Sequence, residues 1–432
     1  MAREAVGSGD HPLVVRTVEA AIRHLQQAQS QGPSGAPQWQ YTDLIGHVHR
    51  HYWFPATELV RDAEGRAPNT YDLSIHHGLP KVGEANQELQ KIALSCGLRT
   101  LRTSWKDFSA QDADGRRISF GLSFSEASSP VSGVITGNKQ LTRRFLQAAG
   151  AAVPEGRLFQ PEELEDAVQF AEDLGYPVVV KPVAGKSGQG VVAGILSRTG
   201  VEWAAAQISH LDPADSRFIV EDHVPGADYR IYVAYGAVLS VVLRRPANVT
   251  GDGVRSVAEL VVAKNHQRRH NPHTRTRLIR CDSSSTYQLE RQQASWDYVP
   301  APDETVWLAS AANISQGGDS TEVLPETHPS ILDSAVRAVD AIPGLNQAGV
   351  DFLVPDHRRP LESQSGGICE INTTPALMAN QAPVYGEPQP VAETVVRRAA
   401  ESAGIQLPPR EGTLQIAVRA QASPIHPAWL DG

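Results

Sequence analysis

The sequence has 432 residues, which at about 150 residues per domain implies two or three domains. Lys and Arg number 39 against 48 Asp and Glu, a net charge of −9 with His neutral, and this acidity excludes a generic nucleic-acid backbone binder, which needs a basic stripe. A hydrophobic content of 41% suffices for packed cores, and the 3 scattered cysteines, in no CxxC pair, exclude a disulfide scaffold and point to a reducing cytoplasm.

The opening MAREAVGSGDH lacks an apolar h-region, so no cleaved signal peptide is expected. Residues 11–28 carry apolar positions at helical spacing, and 29–38 (QSQGPSGAPQ) reads as a linker. From about 40 to 130 the pattern is mixed: YDLSI as a strand, ANQELQKIALSCG as a helix, LRTLRTSW and ISFGLSFS as strands. That rhythm suggests a small parallel βαβ unit. Asn138–Gly150 reads as a helix with a stop glycine, and PEELEDAVQFAEDLG as another. YPVVVKPVAGKSGQGVVAGILS reads as strand, glycine loop, strand, and RFIVEDHV as a short strand. YRIYVAYGAVLSVVLRR is a hairpin turning at Tyr235–Gly236; its apolar run, Ile231 to Leu243, is too short to span a membrane, which takes about 20 residues. A polar excursion from about 262 to 300 precedes the helix HPSILDSAVRAVDAI, the strands AGVDFLV and GICEIN, and the helix VAETVVRRAAES.

Four motifs carry chemistry. Lys181 ends an apolar strand, and the loop Gly185, Lys186, Ser187, Gly188, Gln189, Gly190 follows it. Lysine and backbone N–H groups there suit phosphate. The loop is no P-loop, since Val180 stands where the first glycine is needed, and GQGVVA leads into a strand rather than opening a helix. Taken alone it is equally an ordinary hairpin turn. Glu370 and Asn372, two apart on a strand, share a face, and Asp351 lies on the strand before; three such oxygen donors suit Mg²⁺. In FIVEDHVPGADYR, Glu221 and the backbone near Val224 could read an adenine edge, Asp228 a ribose, and Arg230 sits near anions; a strand with a Pro-Gly turn fits equally. Arg244–Arg245 end the hairpin, where arginine suits a phosphoryl group or a developing oxyanion, or forms a solvated edge.

Taken in order, Lys139, Lys181, the glycine loop, Glu221, Asp228, Asp351 and Glu370-x-Asn372 resemble the ATP-grasp superfamily of carboxylate–amine ligases, most closely the modules of cyanophycin synthetase and bifunctional glutathione synthetase. The phrases ITGNKQLTRRFLQAAGAAVPEG, VVVKPVAGKSGQGV, RRPANVTGDGVRSVAELV and AGVDFLV…CEINTTPALMANQAPVYG carry the likeness, over about 130–400. It implies an α/β (α+β) ATP-grasp fold: a helix and linker (1–38), a pre-ATP-grasp α/β domain (39–132), a small lid subdomain (133–223), a large subdomain (224–408) and a tail (409–432). It further implies that Lys139 and Lys181 hold ATP phosphates under a mobile loop 185–191, that Glu221 and Val224 read adenine, and that Asp228 reads ribose. Asp351, Glu370 and Asn372 would bind two Mg²⁺ ions, with Mn²⁺ as a substitute, and Arg244 or Arg245 would stabilise the transferring phosphoryl group, with no choice between them. Arg230, Asn313, Gly317 and Gly318 would face substrate.

The implied activity is ADP-forming amino-acid ligation giving a dipeptide or short peptide, with a preference for a γ-glutamyl or similar acidic substrate. The alternatives are ligation onto a protein tail and phosphotransfer on the same fold. Expected partners are small amino acids, with a homodimer allowed and neither nucleic acid nor membrane. Ala376 departs from the family's glycine in N-x-x-P-G, and no Mur-ligase-like or glutamate–cysteine-ligase half is evident. His47, His49 and His51 read as strand histidines rather than metal ligands, and the basic cluster around Arg268, Arg275 and Arg277 as a solvated loop or, less simply, an anion clamp.

Overall fold

Tyr235 and Gly236 both take positive φ, 51° and 72°, and this tight turn folds Ala227–Ala234 antiparallel onto Ala237–Arg245. Two such residues give a twist that matches the flanking strands. The hairpin is the middle of a five-stranded sheet in the order Asp319–Glu322, Ala237–Arg245, Ala227–Ala234, Gln347–Val354, Gly367–Asn372. This computed structural model describes residues 39–42, 48–51, 60–69, 84–126, 128–183, 190–211 and 215–409.

Strand alternation feeds two cores from this one sheet. Ile231 and Val233 pack with Val241, Val350, Phe352 and the helix Pro329–Asp340. Tyr232 and Ala234, pointing the other way, join a core shared by the N-terminal helix Glu84–Ser95 and the late helix Val391–Ser402.

The N-terminal unit corrects the parallel βαβ expectation. Arg99–Arg102, Asp107–Gln111, Arg117–Gly121 and Phe124–Ser125 form a wholly antiparallel sheet in sequence order. Residues 103–106 and 112–116 are connections long enough for hairpins and far too short for the crossover that parallel neighbours need. Stacked Phe108 and Phe120, 5.1 Å between ring centres, sit in its core.

A second antiparallel sheet, in the order Gly156–Phe159, Phe218–Asp222, Val178–Pro182, Val192–Ile195, packs against Leu164–Leu174 and Arg198–Leu211. The two strands expected on either side of the glycine loop, Val178–Pro182 and Val192–Ile195, are present and pair antiparallel. The 262–300 excursion carries the end of one helix and the whole of a second. Val257–Arg269 opens on a reciprocal capping box between Ser256 and Glu259, and Ser283–Arg291 on an Asp282 cap. The supposed solvated cluster is partly internal. Arg268 is 1% exposed, because Asp319 pairs with both Lys264 (2.6 Å) and Arg268 (3.1 Å) and neutralises them inside. No helix among the described residues is long and apolar enough to cross a membrane. Residues 1–38, His47, YDLSI and the tail from 410 lie outside the described residues, as do the side chains of His49 and His51.

Candidate active site

The strands Gln347–Val354 and Gly367–Asn372 place Asp351 opposite Glu370 and Gly349 opposite Asn372. The Asn372 amide reaches Asp351 Oδ2 at 3.4 Å. Asp351 Oδ1 is buried and its contacts are ion pairs with two arginines, and Glu370, half-buried, makes no ion pair or hydrogen bond among the described residues. Nowhere among the described residues do three His, Cys, Asp or Glu side chains gather; this set is two carboxylates and an amide. It fits a hard divalent cation that takes few protein ligands and completes its shell with phosphate and water.

Two arginines from the hairpin converge on the same carboxylate. Arg230 Nε lies 2.5 Å from Asp351 Oδ1, and Arg244 Nη2 lies 3.3 Å from Asp351 and 2.5 Å from Asp228 Oδ1. Register explains the meeting: Asp228 pairs with Arg244 across the hairpin, and Arg230 with Asp351 across the next strand. Burial pushes the Asp228 carboxyl up, opposed by Arg244. Burial pulls Arg230 down against the attraction of Asp351, whereas Asp351 and Asp228 overcome burial and hold Arg244 above its ordinary value. Arg245, pointing to the other face, pairs with Glu64 at 2.5 Å. Sequence left the choice between these arginines open; the structure brings Arg244 to the cluster.

The lysines come from different elements. Lys139 begins the helix Lys139–Ala148, capped by the Asn138 side chain, and its ammonium lies 3.3 Å from the Pro182 carbonyl. Lys181, on the second sheet, pairs with Glu221 Oε1 at 2.5 Å on the neighbouring strand. Arg143, which sequence reading missed, binds the other Glu221 oxygen. Gly156 makes room for that pair, since a Cβ there would fall 2.6 Å from the Glu221 Cβ and 2.9 Å from Arg143 Nη1. Burial pulls the Lys139 ammonium below its ordinary value, opposed by Glu370. Lys139, Lys181, Arg143, Cys369 and Glu370 line one narrow pocket. The Cys369 thiol, pushed up to about 12 by burial, stays protonated there. Gly185 to Gln189 lie outside the described residues; Gly190 is described with φ of 74°.

Val224 is buried in the link between second sheet and hairpin. Gly317 and Gly318 lie against Ile279 and the Arg245 carbonyl, and Asn313 accepts from Ser315. Ala376 has φ of −70°, which any residue adopts, so the backbone tolerates the departure from glycine.

Residues 138–209 match the family described as carbamoyl-phosphate synthase L chain, ATP binding domain. The bifunctional glutathione biosynthesis protein GshAB of Mannheimia succiniciproducens is 36% identical over 264 residues, 60% of this chain and 34% of that protein. Cyanophycin synthetase of Trichormus variabilis is 35% identical over 265 residues, 60% of this chain and 28% of that one. The crystal structure of the bifunctional glutathione synthetase from Pasteurella multocida superposes with a TM-score of 0.60 at 30% identity, over 74% of this chain and 44% of that one. The chain carries an ATP-grasp domain. It spans about a third of the length of the curated relatives it matches. The ATP-grasp fold here is mixed helix and antiparallel sheet.

Proposed function

We propose that this chain is an ADP-forming, ATP-dependent ligase that joins an amino-acid carboxylate to the amine of a second amino acid. The observation that carries this reading is the pocket that Lys139, Lys181 and Glu370 line together, with Asp351, paired to two arginines, on the strand next to that of Glu370. The relatives' printed names, glutathione synthetase and cyanophycin synthetase, support peptide-bond chemistry.

A carboxylate acylates poorly at neutral pH until one oxygen gains a good leaving group. In-line attack on the γ-phosphate gives an acyl phosphate and ADP; the amine then attacks the acyl carbon, loses a proton and expels phosphate. Lys139 and Lys181 hold the phosphates, with Glu221 and Arg143 fixing where the Lys181 ammonium points. Glu221 and Val224 border the base, and Asp228 the ribose. Arg244 and Arg230 offset charge on the transferring group. Asp351, Glu370 and Asn372 would hold one or two Mg²⁺ ions, which neutralise phosphoryl oxygens. The loop 185–191 is assigned to water exclusion, because an acyl phosphate hydrolyses readily. The free cysteines Cys96, Cys281 and Cys369 support a cytoplasmic setting.

The deciding experiment is a phosphate-release screen of amino-acid pairs with mass spectrometry of the products. ADP and a peptide formed only when both amino acids are present support the ligase. Phosphate transfer with no amine requirement would make it a phosphotransferase.

A further inference from the structure

A separate cavity of about 420 Å³ lies where the N-terminal helix meets the segment after Asn372. Its size is that of small-molecule sites, about 300–1,000 Å³. Thr374 and Pro375 line it, starting two residues beyond Asn372. Two extended residues span at most about 7 Å, so the cavity adjoins the cation site. Ser123 Oγ donates to the Pro375 carbonyl at 2.7 Å and pins that segment to the N-terminal unit. Pro375 Cβ also lies 2.9 Å from where a Gly349 Cβ would stand, beside Arg230.

One wall is charged and incompletely used. Arg277 Nη1 donates to both oxygens of Glu84, at 3.0 and 3.2 Å, and to the His273 carbonyl. Among the described residues its Nε and Nη2 make no hydrogen bond. His273 is 5% exposed, yet its Nδ1 has no hydrogen bond and only a 3.5 Å contact with Glu84 Oε2. Burial pulls that imidazole below its ordinary value, so it is neutral near pH 7. The opposite wall is apolar: Leu122, Pro375, Ala376, Leu377 and Met378.

We propose that this cavity holds the α-amino and α-carboxylate groups of an acidic amino acid, Arg277 taking the carboxylate through Nε and Nη2 and Glu84, with His273 beside it, taking the ammonium. This rests on the ligase reading and deepens it. With both headgroup charges engaged, only the distal carboxylate remains free to reach the phosphoryl group. The activated acid is therefore a side-chain carboxylate, such as the γ-carboxylate of glutamate. The reasons are chemical: a cation with two spare donors beside an anion matches a zwitterion, and neither charge alone would need the other.

The test is equilibrium binding to the full chain with Mg²⁺ and a fluorescent ADP analogue present. The probes are L-glutamate, glutarate, which lacks the ammonium, and L-isoglutamine, which lacks the α-carboxylate. The expected result is that wild type binds L-glutamate at least about tenfold more tightly than either analogue, the size of one charged hydrogen bond. Glu84→Gln abolishes the preference over glutarate, and Arg277→Gln the preference over L-isoglutamine, while the ADP analogue binds all three proteins alike. Wild type that does not bind L-glutamate, or does not discriminate, overturns the proposal even if either variant misfolds. So does discrimination that survives in the folded variants. If the ADP analogue itself fails to bind wild type, the ligase reading is what falls.

Discussion

Arg230 Nε stands 2.5 Å from Asp351 Oδ1, and it reaches that position across the bare α-carbon of Gly349. A Cβ on Gly349 would fall 2.7 Å from Arg230 Nη1 and 2.9 Å from Pro375 Cβ. Gly349→Ala is therefore expected to swing the guanidinium off Asp351 at a cost of about 1–3 kcal/mol. Phosphate release should slow by roughly tenfold or more while the fold persists. Unchanged turnover in Gly349→Ala would remove Arg230 from the reacting centre.

The two neighbouring arginines separate cleanly. Arg244→Met removes a guanidinium held between Asp228 and Asp351, and kcat should drop about 10²–10³-fold. Arg245→Met breaks only the half-exposed pair with Glu64, worth about 0–1 kcal/mol, and kcat should stay within about threefold. Steady-state kinetics of both variants decide it; equal losses would contradict the assignment.

Glu370 makes no ion pair among the described residues, so Glu370→Gln should leave the melting temperature nearly unchanged. The Mg²⁺ concentration for half-maximal turnover should rise, and maximal kcat should fall about 100-fold. A Mg²⁺ titration that matches wild type would displace the cation from this strand.

Lys181 and Arg143 share Glu221 in a buried triad. Glu221→Gln leaves two cations facing one another and is expected to cost about 3–5 kcal/mol of stability. Lys181→Met leaves Glu221 still neutralised by Arg143, so it should fold and fail chiefly in nucleotide affinity. Urea unfolding and ADP binding, measured side by side, distinguish these outcomes.

Glu322 supplies a pH dependence unrelated to catalysis. Burial pushes its carboxyl up to about 7, although Ser240 Oγ and the Val241 and Leu324 amides donate to it. A carboxyl raised on folding binds its proton more tightly in the folded state. Its favourable share is thus complete below the unfolded value near 4.5 and is lost as pH rises through 7. Glu322→Gln should remove that slope. Between pH 5 and pH 8 the wild type should lose up to about 3 kcal/mol relative to the variant, read from urea midpoints; parallel profiles would refute the burial account.

What the sequence made legible was local. The Tyr235–Gly236 turn and the alternation around Glu370 and Asn372 are short-range patterns, and both are present. Arg143 was not legible because its partner lies 78 residues away, and no period links them. Arg244 and Arg245 are adjacent on one strand, so only the register with Asp228 and the position of Glu64 tell them apart. The cluster around Arg268 read as solvated because its neutralising carboxylate, Asp319, is 51 residues on. The cavity at Glu84 and Arg277 joins residues 193 apart, a relation that exists only after folding.

The helix Glu84–Ser95 and its sheet share their apolar core with Val391–Ser402. A ribosome delivers these partners some 300 residues apart, at about 5–20 residues per second. For many seconds of synthesis the part of the early face that Val391–Ser402 covers stays open, and a truncation before Val391 would leave that part permanently bare. The nascent chain therefore cannot finish its first unit until nearly its last described helix has emerged, which makes that interval the one in which a chaperone has most to shield.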